Sequence, residues 1–528
     1  MKSASVFPRL RPLALALTLL SLNGHAEAPR GSAVQLPTLG DAISEQVGLG
    51  EERRYGDWIM SQVRSDPLVL DDPLLQDYVD RLWQPLMQAA RQQGHISDEL
   101  WERFAWETLL VRERVINASA WPGGYFVFNL GLIAMTSQRD ELASVMAHEL
   151  AHVTQRHIAR GIAGEGKSSA ITILGALLGV LAAAKTGNTD VGIGVMSAAQ
   201  TEAQRQRLSF SRDMEREADR VGHAVLSGAG YQPAGMVRMF ERMDQATRLM
   251  DSGAFPYLRT HPLNSERVGE ARQRLSLEEG QTEPAGGIEH LVMAARARVL
   301  MDERAESLQQ AAGLEAGARE GGAAAQIAAR YSAALAAYKL RQRTRADAAL
   351  QSARRWLPEL PPTERAPTER LLTLLQAEGA ALNGDGAGAL SLLQAWTAER
   401  QPVLLKLRAQ AAAAAGASAE QREQALDALQ THLALQPRDA AAWLRAARLW
   451  ELQGQPLRAL RAHAEAHAAR GDTVGAIDRL RAALRQSRTP GADAIEVSVI
   501  DARLRALLYE RRQFLREVYP RGVPPEAE

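Results

Sequence analysis

A change of texture near residue 285 constrains this chain more than any single motif. From about residue 40 to 285 the sequence is varied, with tryptophans, short apolar runs and turn signals. From about 290 to 515 it is rich in Ala, Leu and Arg, and its apolar residues return at helical spacing. Pro284-Ala-Gly-Gly287 between the two reads as a linker. With 528 residues there is room for two or more domains, each with its own core. The expected division is a first domain at 40–285 and an all-helical second domain at 290–515. On this division, deleting the second domain should spare a site in the first. Lys plus Arg equal Asp plus Glu at 62 each, so no net charge points to nucleic acid.

The helical half repeats. In "WLRAARLWELQGQPLRALRAHAEAH", Trp443, Trp450, Gly454 and Ala459 fall at the spacing of the tetratricopeptide signature, whose period is about 34 residues. Gly384 with Ala389, and Gly471 with Ala476, reproduce the spacing of Gly454 with Ala459. Ala425 precedes Pro437 as the signature's alanine precedes its closing proline. Small residues let paired helices approach, and such arrays present a concave face to peptides or partner proteins. The competing expectation is a helical array without this family's geometry.

The first residues are expected to be a cleaved export signal at 1–26. Lys2, Arg9 and Arg11 precede an apolar run from Pro12 to Leu22 and the small-residue stretch Gly24 to Ala28. Cleavage is placed after Ala26, because a cut after Ala28 would leave Pro29 first. The run is too short to span a bilayer, so a periplasmic location follows. The chain has no cysteine, which excludes disulfides and thiolate metal ligands.

"SVMAHELAHVTQRHI", Ser144 to Ile158, carries the chemistry. Ser137-Gln-Arg-Asp140 looks like a capping box opening a helix, with Asp140 in place of the usual Glu or Gln. On that helix His148 and His152 are one turn apart on one face, so both imidazoles can reach one ion. Glu149 lies beside them, where it can take a proton from a metal-bound water. The alternative is two core histidines and a surface glutamate. His157, five residues beyond His152, reads as structural. A second helix, "SFSRDMEREADRVGHAVL", places Glu215 and Asp219 one turn apart: a third ligand, and a carboxylate that orients a ligating histidine. Glu217 falls on another face.

"HELAH" followed by "EREAD" resembles the gluzincin peptidases, the family of the CAAX prenyl proteases and heat-shock protease X. "DPLLQDYVDRL" at 72–82, "NASAWPGGYFVFNLGLI" at 117–133 and "THPLNSERV" at 260–268 extend the resemblance. It implies a zinc metalloendopeptidase binding one zinc per chain through His148, His152 and Glu215. Glu149 is then the general base and Asp219 its support. It places His261 near the metal and Arg267 near the reacting carbonyl. His261 is either a fourth ligand that keeps the site latent or, with Arg267, a donor to the oxyanion. "PGGYFVFN" is expected as the edge strand beside the cleft, or else as an ordinary core hairpin. The apolar segment Ser168–Ala199 reads as a lid touching membrane or client, or as a buried helical hairpin.

The expected architecture is thus mainly α: a zincin-type metallopeptidase domain with a small β edge element, then an α-solenoid of tetratricopeptide-like repeats. An exported family member with such repeats implies quality control and assembly of outer-membrane β-barrel proteins. Clients would be unfolded or stalled β-barrel proteins, and partners the barrel-assembly machinery and the lipopolysaccharide-assembly barrel. The rival reading is a chaperone or adaptor scaffold with a latent peptidase core.

Overall fold

The computed structural model describes residues 47–163, 211–249, 257–276, 287–313, 321–488 and 491–518. The expected export signal at 1–26 and the segment Ser168–Ala199 lie outside the described residues.

The first part is helical around one small sheet. Helices α1 (Leu49–Arg64), α2 (Pro73–Gln92) and α3 (Asp98–Arg103) precede strands β1 (Glu107–Val111), β2 (Ala118–Trp121) and β3 (Tyr125–Asn129). Then come α4 (Leu130–Met135), α5 (Arg139–Thr154), α6 (His157–Ala163), α7 (Arg212–Gly228), α8 (Ala234–Leu249), α9 (Tyr257–Thr260) and α10 (Ser265–Ser276). Asp72 caps α2 by accepting from the Leu75 amide at 2.9 Å, and Pro73 presets its first turn. The buried face of α2 lays Trp83 against the sheet, 4.4 Å from the Phe126 ring and 6.4 Å from that of Phe128.

The sheet order is β1-β3-β2, with β1 parallel and β2 antiparallel to β3. This corrects the expectation that "PGGYFVFN" forms an edge. Its strand is central, hydrogen-bonded on both sides and buried along its whole length. The aromatic and β-branched run that makes it a strand is also what draws it to the middle of the sheet. The outer strand beside α5 is β2. Gly123 and Gly124 make the β2–β3 turn possible: both have positive φ, 77° and 81°, which side chains with a Cβ rarely adopt.

The second part is helical throughout its described residues. It runs α11 (Ile288–Leu300), α12 (Ala305–Gly313), α13 (Ala323–Lys339), α14 (Arg343–Arg354), α15 (Pro362–Leu382), α16 (Gly386–Leu392), α17 (Pro402–Ala412) and α18 (Ala419–Leu435). It ends with α19 (Ala440–Leu452), α20 (Pro456–Ala469), α21 (Thr473–Gln486) and α22 (Ala494–Val518). From α19 to α22 each helix packs on the next. Gly384, Gly454 and Gly471 each follow a helix end with φ of 85°, 69° and 83°. Five residues on from each, Ala389, Ala459 and Ala476 are buried where helices meet.

The largest apolar cluster does not stop between the two parts. It runs from Leu70 to Leu375 and takes in Ile288, Val292, Met293, Leu300 and Tyr331. Helix α11 packs on α4 and α2. Arg296 on α11, fully buried, donates from Nε and Nη2 to both Asp72 oxygens at 2.8 and 2.6 Å. It also donates to Glu378 on α15 at 2.8 Å and to the Tyr331 hydroxyl at 3.0 Å. Further out, Arg445 on α19 meets Asp71 at 2.8 Å.

This packing changes the expectation that residues after about 290 are dispensable for the first part. A chain ended at residue 286 is expected to lose its cooperative core, whereas one ended after Leu382 should keep it, as thermal melting reads. Arg296→Met should cost about 3–5 kcal/mol, because it leaves Asp72 and Glu378 buried without their counter-charge. Chemical denaturation of the full chain measures this.

Candidate metal centre

Helix α5 is not amphipathic: every residue from Asp140 to Val153 is buried. It starts one residue later than the capping box implied. Gln138 is the N-cap and makes no side-chain bond. Glu141, not Asp140, reaches back, accepting from the Ser137 amide at 2.8 Å and its hydroxyl at 3.2 Å.

On this buried helix the Nε2 atoms of His148 and His152 approach to 3.0 Å. Helix α7 brings Glu215, whose Oε2 and Oε1 lie 3.5 Å from His148 Nε2 and His152 Nε2 respectively. The two helices can cross this closely because of Gly222. A Cβ there would stand 3.2 Å from the Ala147 carbonyl and from His148 Cα. His261, just after α9, completes the group: its Nδ1 is 2.9 Å from Glu215 Oε1 and 3.4 Å from His148 Nε2. Its ring stacks on Tyr257, 4.6 Å between centroids. One donor atom from each of His148, His152, Glu215 and His261 lies within 4.8 Å of all the others, and all four residues are buried.

These donors fit a divalent metal ion. Three imidazole nitrogens and a carboxylate oxygen aimed at one buried point repel or stay unsatisfied unless a proton or cation lies among them. Neutral imidazole and carboxylate oxygen are the donors a zinc-type ion takes when thiolates are lacking. Glu149 stands beside the group, fully buried, and neither of its oxygens accepts a hydrogen bond from a described residue. Its Oε1 is 3.6 Å from His261 Nε2.

Behind the ligands lies a charged support. Asp219 Oδ1 is 3.0 Å from His148 Nδ1. Arg267 binds Asp219 with Nε and Nη2 at 2.7 and 2.9 Å. Its Nη1 donates to the Pro262 carbonyl at 2.9 Å and lies 2.8 Å from Glu215 Oε2. The sequence reading put Arg267 at the reacting carbonyl. The structure instead commits all three of its nitrogens behind the ligands, because two buried carboxylates there need a cation.

Sequence reasoning also misplaced His157. Its Nδ1 lies 2.9 Å from Nδ1 of the ligand candidate His152, and its Nε2 lies 3.0 Å from Glu217 Oε2. Arg160 donates to the same Glu217 oxygen at 2.7 Å. Helical spacing would send His157 elsewhere, but α5 ends first. Arg156 has φ of 54°, turning the chain so that α6 brings His157 back under His152. Nothing in "TQRH" announces that turn.

Burial lowers His148, but Asp219 and Glu215 more than offset it and raise it to about 9. Burial, then the neighbouring imidazoles of His148 and His261, push His152 well below its usual value. Burial lowers His157 to about 4 against the pull of Glu217. Burial would raise Glu215, yet His261 and His148 hold it far below the carboxylate range. Asp219 is likewise lowered, Arg267 and His148 outweighing its burial.

A His-Glu-x-x-His helix crossed by a helix bearing a third acidic ligand defines a zincin-type metallopeptidase domain. Residues 73–275 match the profile of peptidase family M48. The chain is 31% identical over 263 residues to the beta-barrel assembly-enhancing protease of Escherichia coli, covering 50% of this chain and 51% of that protein. It is 31% identical over 239 residues to the Yersinia pestis protein of that name, covering 45% and 47%. More distantly it is similar to the mitochondrial metalloendopeptidase OMA1 of Saccharomyces cerevisiae, 27% identical over 196 residues, 36% of this chain and 53% of that one. The chain spans about half the length of the curated relatives it matches. These matches bear out the resemblance drawn from "HELAH" and "EREAD".

Two outcomes are expected. Gly222→Leu should force α7 off α5 and weaken zinc binding at least about tenfold by pulling Glu215 from the histidines, since core overpacking of this kind costs about 1–3 kcal/mol. In metal-free protein His148 holds its proton up to about pH 9. A metal must displace that proton, so zinc affinity should rise with pH, by about tenfold per unit, and level off near that value. Competition titrations with a chromophoric chelator read both.

Proposed function

We propose that this chain is an exported, zinc-dependent endopeptidase that acts on unfolded or stalled outer-membrane β-barrel proteins. The single observation that carries the peptidase reading is Glu149, buried beside His148, His152 and Glu215 with neither carboxylate oxygen hydrogen-bonded to a described residue. His148, His152 and Glu215 would hold the ion, which when bound would supply Lewis acidity and acidify water at the site. Glu149 accepts that water's proton on a carboxylate oxygen and passes it to the leaving amine. Asp219 orients His148 through Nδ1 and is itself fixed by Arg267. An extended client segment pairs with the outer edge of β2, which among the described residues bonds only to β3.

The client class is extended to this chain from the name shared by the bacterial relatives. Periplasmic location rests on the N-terminal sequence. No described helix is long and apolar enough to cross a membrane. The array from α15 to α22, with glycine turns and buried alanines at matching spacing, supports a tetratricopeptide-like domain that docks client, the barrel-assembly machinery or the lipopolysaccharide-assembly barrel. Chaperone activity belongs to this half.

His261 acts as the latch. As a fourth donor it would take the position that hydrolysis needs open, and its contacts with Glu215 and His148 favour this over an oxyanion role. Release requires the turn around Pro262 to withdraw, which breaks the Arg267 bond to the Pro262 carbonyl and the stacking of His261 on Tyr257.

Glu149→Gln should retain zinc and fold while cleavage of an unfolded β-barrel protein falls by at least about 100-fold. Undiminished cleavage would reject the mechanism, and intact barrel assembly by this variant would favour the chaperone scaffold. His261→Ala, checked for zinc content, should cleave faster and less selectively. Slower turnover at full zinc occupancy would remove the latch.

A further inference from the structure

The geometry points to His157, Glu217 and Arg160 as a positioning relay that sets the tautomer of His152, and so its readiness to bind metal. This rests on the metallopeptidase reading above but assigns residues that reading does not use. His152 Nε2 faces the other ligands, and only a nitrogen without a proton can donate its lone pair to an ion. Its proton must therefore reside on Nδ1, whose neighbour at 2.9 Å is His157 Nδ1. A hydrogen bond forms there only if His157 Nδ1 is the bare nitrogen, which places the His157 proton on Nε2. That nitrogen faces Glu217 Oε2 at 3.0 Å, an acceptor when ionised. Arg160 donates to the same oxygen at 2.7 Å and anchors that carboxylate against His157.

The order of protons is thus dictated from the outside inwards. Arg160 anchors Glu217, Glu217 fixes the tautomer of His157, and His157 fixes that of His152. The relay mirrors the other histidine. His148 is backed by Asp219 and then Arg267, a carboxylate and a guanidinium in direct sequence. His152 is backed by the same pair of groups with one imidazole inserted. The insertion is needed because Glu217 points away from Glu215 on α7 and is bridged to His152 only by His157. The rings of His152 and His157 stand 4.9 Å apart at 77°, edge to face, so the in-plane nitrogens meet without stacking. The backbone of Arg156, held by its side chain on Glu52 and on the Val47 carbonyl, keeps His157 in place.

The test is zinc affinity of the full chain, measured by chelator competition, with metal-free melting as a check on fold. His157→Ala should bind zinc about 10- to 100-fold more weakly, the size of a lost outer partner of a metal ligand. His157→Gln, whose carbonyl oxygen can accept from His152 Nδ1, should recover part of that loss. Glu217→Ala should also weaken binding, and the double variant His157→Ala/Glu217→Ala should be no worse than His157→Ala, since the two act in series. Wild-type affinity in a folded His157→Ala protein, or losses that multiply in the double variant, would overturn the relay while leaving the metal site standing. If His157→Ala does not fold, Glu217→Ala decides alone, its side chain being 29% exposed and outside the core. Failure of the unmodified chain to bind zinc would instead overturn the metallopeptidase reading itself.

Discussion

The crossing of α5 and α7 at Gly222 is the contact on which the site depends. Ligands from two helices converge on one point only if the backbones come closer than ordinary side chains permit. Gly222 against Ala147 meets that condition, and the chemistry is placed on either side of it. His148 and His152 descend from one helix, while Glu215, Glu217 and Asp219 rise from the other at intervals of two residues. Because α7 turns about 100° per residue, these three acids face three tasks: ligand, support for one histidine through His157, and support for the other.

That seam concentrates charge where water is absent. Glu149, Glu215 and Asp219 are all buried, and Arg267 neutralises only part of them. The imidazoles share what remains, which explains why His148 is pushed up while His152 is pushed down on the same helix face. The raised imidazole is the one on which two carboxylates, Asp219 and Glu215, converge. A divalent ion in the same place would satisfy every group at once.

The sequence carried much of this. Histidines four apart with a glutamate between them are legible because helical periodicity places them without knowledge of the fold, and Glu215 and Asp219 follow by the same rule. The mainly helical architecture with a small sheet was legible from texture and turn residues. What failed did so where tertiary contact overrides local pattern. Strand Tyr125–Asn129 looked like an edge because strand propensity says nothing of neighbours. His157 read as structural, pointing away from His148 and His152, because a left-handed Arg156 breaks the period. Arg267 looked like a donor to substrate because a motif does not show which side of a carboxylate a guanidinium occupies. The division near residue 285 followed composition, whereas the apolar core follows packing and continues to Leu375.

That continuity has a consequence for how the chain comes to life. A polypeptide made from its N-terminus completes the last candidate ligand at His261, yet the apolar cluster around the site closes only with residues as far on as Leu375. Asp72 likewise waits for Arg296 and Arg296 for Glu378. More than a hundred further residues must therefore emerge before the site is held rigid. The order of synthesis delays a rigid site until the first helices of the second part, as far as Leu375 and Glu378, are present to accompany it.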